Sequence, residues 1–81
     1  MDSKLLELVK DNQARFDNAK AETDRLINEV FTVYRRIDLF TLEDYANTVK
    51  DLSSQLKEQA TIMERAYKLD RKLFKQAERG V

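Results

Sequence analysis

The chain offers a short list of groups that could do chemistry: its 81 residues contain no His and no Cys, leaving carboxylates, amines, guanidinium groups, hydroxyls and carboxamides. Thiol nucleophiles, the usual zinc sites, His-based triads and an imidazole switch near neutral pH are therefore excluded. Glu22 with Asp24, and Glu43 with Asp44, are carboxylate pairs of the kind that hold hard divalent ions. Neither has a loop of further oxygen ligands beside it, so no metal and no cofactor are expected. The remaining concentration of function-capable side chains is basic. Arg65, Lys68, Arg71, Lys72, Lys75 and Arg79 crowd one stretch beside Tyr67 and Phe74, and cations interleaved with aromatics can track a phosphate backbone. Glu64, Asp70 and Glu78 dilute that stretch to six cations against three anions, and the whole chain is neutral with 15 of each. General polyanion binding is disfavoured on that balance. A two-fold dimer would double the basic surface, as helical-hairpin RNA binders do, so nucleic acid is the alternative partner.

The elements that must position these groups are helices. There is no Pro, and the one Gly stands at position 80, so loop punctuation is almost absent. Leu5, Val9, Asn12, Phe16, Ala19, Thr23, Leu26, Val30, Val33 and Ile37 recur at alternating spacings of four and three, the seam of a coiled-coil-like helix. Leu42, Tyr45, Val49, Leu52, Leu56, Gln59, Met63, Ala66, Asp70, Leu73 and Ala77 repeat the rhythm. Between the runs Thr41 reads as an N-cap: its hydroxyl can accept from the backbone N–H of Asp44, Glu43 and Asp44 suit the helix dipole, and Phe40 can staple onto Tyr45. Arg79 and Gly80 supply a basic last turn and a C′ glycine. The expected fold is all-α, one domain over residues 1–81: helix 3–38, turn 39–41, helix 42–79, an antiparallel hairpin that assembles into a bundle.

Pairing residues equidistant from the turn sets Val30 and Val33 near Val49 and Leu52, Thr23 near Leu56, Phe16 near Met63, and Val9 near Leu69 and Leu73. Asn12, Ala19, Thr23 and Gln59 make the middle of this seam small or polar. Such residues fix register at a cost in stability. Charge agrees with folding back, because residues 1–30 hold five Lys/Arg and seven Asp/Glu, opposite in sign to the basic stretch they would meet.

A chain of this length buries only about 60% of the surface its unfolded form exposes, so further stabilisation by a partner is expected. Apolar residues flank both seams: on the first helix Leu6, Ile27 and Tyr34 on one side, Leu8 on the other and Phe31 farther out; on the second Ile62 and Leu69 on one side, Ala60, Tyr67 and Phe74 on the other. Leu6, Ile27, Phe31, Tyr34, Ile62, Leu69, Tyr67 and Phe74 are the expected partner-binding set. The implied role is a non-enzymatic interaction module, an adaptor, small chaperone or assembly subunit that binds itself or a partner helix. No apolar stretch is long enough for a membrane span and the N-terminal residues lack signal-peptide form, which makes the cytoplasm the expected location.

Two resemblances bear on this reading. Ser54-Gln55-Leu56-Lys57-Glu58 resembles, over five positions, the Ser-Gln-x-x-Asp helix motif of small sporulation-type aspartyl-phosphate phosphatases, with Glu58 where that family carries Asp. That resemblance implies acyl-phosphate hydrolysis through Gln55 and Glu58. The surrounding sequence does not follow the family's apolar pattern, and a non-enzyme is expected. In size and architecture alone the chain also resembles the helical hairpins of type III secretion, whose needle subunits turn at a Pro-containing loop absent here. Their chaperones, which shield an amphipathic helix of another protein, are the nearer analogy.

Overall fold

Thr41 starts the second helix as its sequence requires. In the computed structural model, which describes residues 3–79, its Oγ1 accepts from the Asp44 N–H at 3.1 Å and its carbonyl accepts from the Tyr45 N–H at 2.9 Å. Phe40 is extended, with φ −108° and ψ 146°, and both Phe40 and Tyr45 are half-buried, as a staple across the cap demands. The hydroxyl satisfies a donor that has no partner inside the helix. Thr41→Ala is therefore expected to cost about 1 kcal/mol and lower the thermal midpoint by about 4–8 °C, read by circular dichroism, while Thr41→Ser stays near wild type.

The elements are α1 (Ser3–Arg35), a 3-10 turn (Ile37–Leu39) and α2 (Leu42–Arg79). The first helix thus ends at Arg35 instead of near residue 38. Its last turn is tightened: the Arg36 N–H is shared between the carbonyls of Thr32 and Val33, at 3.2 and 3.1 Å, a bifurcated bond typical of helix termini. Leu39 and Phe40 then donate to the carbonyls of Arg36 and Ile37, so the reversal is made by 3-10 bonds. The β-branched residues Thr32, Val33 and Ile37 add little helix propensity to resist it. The reversal carries Ile37 and Leu42 out of the seam, 47% and 84% exposed where the periodicity had them buried. The C′ position assigned to Gly80 lies outside the described residues.

Short connection and long helices make an antiparallel hairpin measuring 60 × 14 × 13 Å. Its radius of gyration of 18.2 Å exceeds the roughly 12 Å of a globular chain this long. The core is a single line. Asn12, Ala19 and Leu26 on α1 and Leu52, Ala66 and Leu73 on α2 are buried, all at seam positions, and most other seam residues are half-buried. Asp70 departs from the pattern and is exposed. Two helices leave each seam residue open toward one border or the other, which is why burial rarely becomes complete. Among the described residues Leu26 alone of the large side chains is fully buried.

A polar bond crosses this line. Asn12 Nδ2 donates to the carbonyl oxygen of Ala66 at 2.8 Å, between residues 54 positions apart. It lies at the register expected from the equidistant pairs, and the same offset sets Leu26 opposite Leu52. Thr23, the other polar seam residue of α1, satisfies its hydroxyl within its own helix by donating to the Ala19 carbonyl at 2.8 Å.

Candidate functional site

The seam has two borders, and antiparallel packing brings like borders together. On the first lie Leu6, Gln13, Lys20, Ile27 and Tyr34 of α1, at heptad spacing, with Ala46, Ser53, Ala60, Tyr67 and Phe74 of α2. A groove lined by Gln13, Phe16, Tyr67 and Asp70 marks their meeting. On the second lie Leu8, Arg15, Glu22 and Glu29 with Thr48, Gln55, Ile62 and Leu69. There the groove is lined by Arg15, Ile62, Arg65 and Leu69 and continues past Asn18 and Gln59.

This geometry divides the expected partner-binding set. Leu6, Ile27, Phe31, Tyr34, Tyr67 and Phe74 share the first side and are 42, 40, 55, 64, 58 and 65% exposed. They form two clusters: Ile27, Phe31 and Tyr34 near the turn, Leu6, Tyr67 and Phe74 near the open end. Ile62 and Leu69 belong to the opposite groove and are half-buried in it. One continuous face centred on all eight residues does not exist, because Ile62 and Leu69 occupy the border of α2 that turns away from Tyr67 and Phe74.

The basic residues divide as well. Arg71 and Lys75 share a depression beside Phe74 with Asp70 and Glu78, two charges against two. Lys68 Nζ pairs with Glu64 Oε1 at 3.0 Å. Arg65 faces the second groove together with Arg15, a residue that composition gave no reason to single out. Its position at heptad spacing on the seam border was the signal. Lys72 and Arg79 continue the Arg65 column at heptad spacing. The aromatics interleaved with cations in the sequence are thus separated in space from Arg65, Lys72 and Arg79.

Elsewhere on the second border Arg25 braces two carboxylates. Its Nε donates to both Glu22 carboxylate oxygens at 3.0 Å and its Nη1 pairs with Glu29. The hydrogen bond from Arg25 holds the Glu22 carboxyl below the ordinary carboxylate range, and the same bond raises the Arg25 guanidinium. Glu22 thus belongs to an ion pair on the surface of its own helix. Ser54, Gln55 and Glu58 are all exposed, and among the described residues no hydrogen bond links them. None of the three lines the grooves described above. Among the described residues no helix is long and apolar enough to cross a membrane. Comparison with family models, with characterised proteins and with solved structures finds no significant match.

Proposed function

We propose that the protein is a non-enzymatic interaction module whose aromatic side is covered by another helical surface, in the first place that of a second copy, giving a four-helix bundle. The observation that carries this is the exposure of six large apolar residues on one side of a hairpin too thin to cover them. Size complementarity supports a second copy. The α2 border is small toward the turn, at Ala46 and Ser53, and large toward the open end, at Tyr67 and Phe74. A two-fold partner running antiparallel sets Phe74 over Ala46 and Tyr67 over Ser53 of the other copy, so bulk meets space twice by symmetry. Ala60 falls at the centre of that arrangement. Lys20 falls there too, and its alkyl stem can lie on the interface with the amine in water.

The test is light scattering coupled to size-exclusion chromatography from low micromolar to near millimolar protein, with quenching of tyrosine fluorescence by a soluble quencher. Mass should rise to that of a dimer as Tyr34 and Tyr67 become shielded. A monomer throughout, with both tyrosines equally accessible at every concentration, overturns self-association.

A further inference from the structure

We infer that the second groove is a docking site for an acidic amphipathic helix of another protein, seated on Ile62 and Leu69 between rims formed by Arg15 and by the column Arg65, Lys72 and Arg79. This goes beyond association through the aromatic side, since the two grooves lie on opposite borders of the seam.

The floor of the groove is Asn12 and Ala66, small residues that let an incoming chain approach closely, and its walls carry the half-buried side chains of Ile62 and Leu69. Leu8, 51% exposed, prolongs the apolar strip toward the open end. The depression measures about 220 Å³, below the roughly 300–1,000 Å³ of small-molecule sites, and its α2 lining runs along one border from Ile62 to Leu69. It suits successive side chains of a helix lying along the hairpin.

Charge then chooses the helix. Arg15 stands on the α1 rim, and Arg65, Lys72 and Arg79 stand on the α2 rim about 10 Å apart along the axis, the rise of one heptad. Among the described residues none of the four is held in an ion pair. Asp11 is the carboxylate that the heptad places beside this part of α1, and it is outnumbered. Farther along, Glu22 and Glu29 are bridged to Arg25 and leave the basic end uncompensated. An apolar strip between basic rims is complementary to an apolar stripe between Asp or Glu residues repeated at heptad spacing. A bilayer surface fits less well, because Ile62 and Leu69 sit in the walls of a concave groove instead of projecting from it. Nucleic acid has no use for the aliphatic strip, and the aromatics on which bases stack are on the other side.

The probe is a synthetic three-heptad peptide with Leu at seam positions and Glu on both flanks, labelled for fluorescence anisotropy, beside a twin with Lys on the flanks. The Glu-flanked peptide should bind the full chain and the Lys-flanked twin should not. Arg15→Glu with Arg65→Glu, exposed positions whose exchange leaves the seam intact, should weaken binding by about tenfold or more, whereas Phe31→Glu with Phe74→Glu should leave it unchanged. Equal binding of both peptides, or indifference to the arginine reversals, overturns the assignment. Loss of binding in the Phe variant moves the site to the aromatic side. Phosphatidylserine vesicles and duplex RNA are run in parallel, and tighter binding of either with the same sensitivity to Arg15 and Arg65 overturns the protein-helix occupant in favour of that ligand. Peptide binding and dimer mass are read separately, so failure of one leaves the other standing.

Discussion

Leu26→Ala is expected to cost about 2–5 kcal/mol and to lower the thermal midpoint by more than about 10 °C. The side chain is 0% exposed, and the Asn12–Ala66 register sets it opposite buried Leu52, so truncation opens a cavity at the best-sealed layer of the seam. The loss is large against the whole. At about 0.05–0.15 kcal/mol per residue a chain of this length holds roughly 4–12 kcal/mol, and a two-helix seam sits toward the low end. Leu26→Met, which conserves volume, should cost less than about 1.5 kcal/mol. Urea and thermal melts monitored by circular dichroism measure both, with Leu39→Ala, at a residue 74% exposed, as the surface control. If Leu26→Ala were no more damaging than Leu39→Ala, stability would not reside in the seam described.

The reasons this residue matters were visible in the amino-acid order. Spacings of four and three locate the seam of each helix, and Thr41 followed by Glu43 and Asp44 locates the break, because both signals are local and each has one physical cause. The end of α1 was less legible. Nothing between Val33 and Phe40 forbids helix, and the 3-10 turn arises from the need to reverse direction, which only the packed hairpin imposes. The division of the borders was legible within each helix and hidden between them. Periodicity shows that Ile62 and Tyr67 both flank the α2 seam, yet whether either shares a side with Ile27 depends on how two helices pair, a property of the assembled hairpin. The six basic residues divide by their heptad positions on α2 alone, so their separation was legible in the spacing.

Asn12 lies between these cases. A polar residue in an apolar seam signals register, but its partner, the Ala66 carbonyl, belongs to the backbone and has no signature in the sequence. The bond matters beyond its own energy. A slip of one heptad between the helices would leave the Asn12 amide against a different layer and would move Phe74 out of line with Leu6 and Tyr67 out of line with Gln13. The register held by Asn12 thus aligns the aromatic clusters on one border and the basic rims on the other.

Phe31→Glu combined with Phe74→Glu is the exchange expected to act most strongly on assembly. Each ring is more than half exposed in the single hairpin, so neither substitution removes seam packing, and surface changes of this kind usually stay within about 0.5 kcal/mol. Helicity and the midpoint at high dilution should therefore remain near wild type. In a two-fold dimer each substitution counts twice. Each ring is already about two-fifths buried in the hairpin, so covering the rest contributes roughly 1–2 kcal/mol, and at position 74 the new carboxylate joins Asp70 and Glu78 in the same depression. Four such losses would total about 4 kcal/mol or more, which raises the dissociation constant by about 10³-fold or more and leaves a monomer at micromolar concentration. Arg15→Glu with Arg65→Glu, on the opposite border, should retain the dimer mass. Sedimentation equilibrium on the three proteins separates the cases. A dimer that survived the Phe pair but dissociated with the Arg pair would place the self-associating surface in the groove of Ile62 and Leu69 and remove the aromatic side from the interaction.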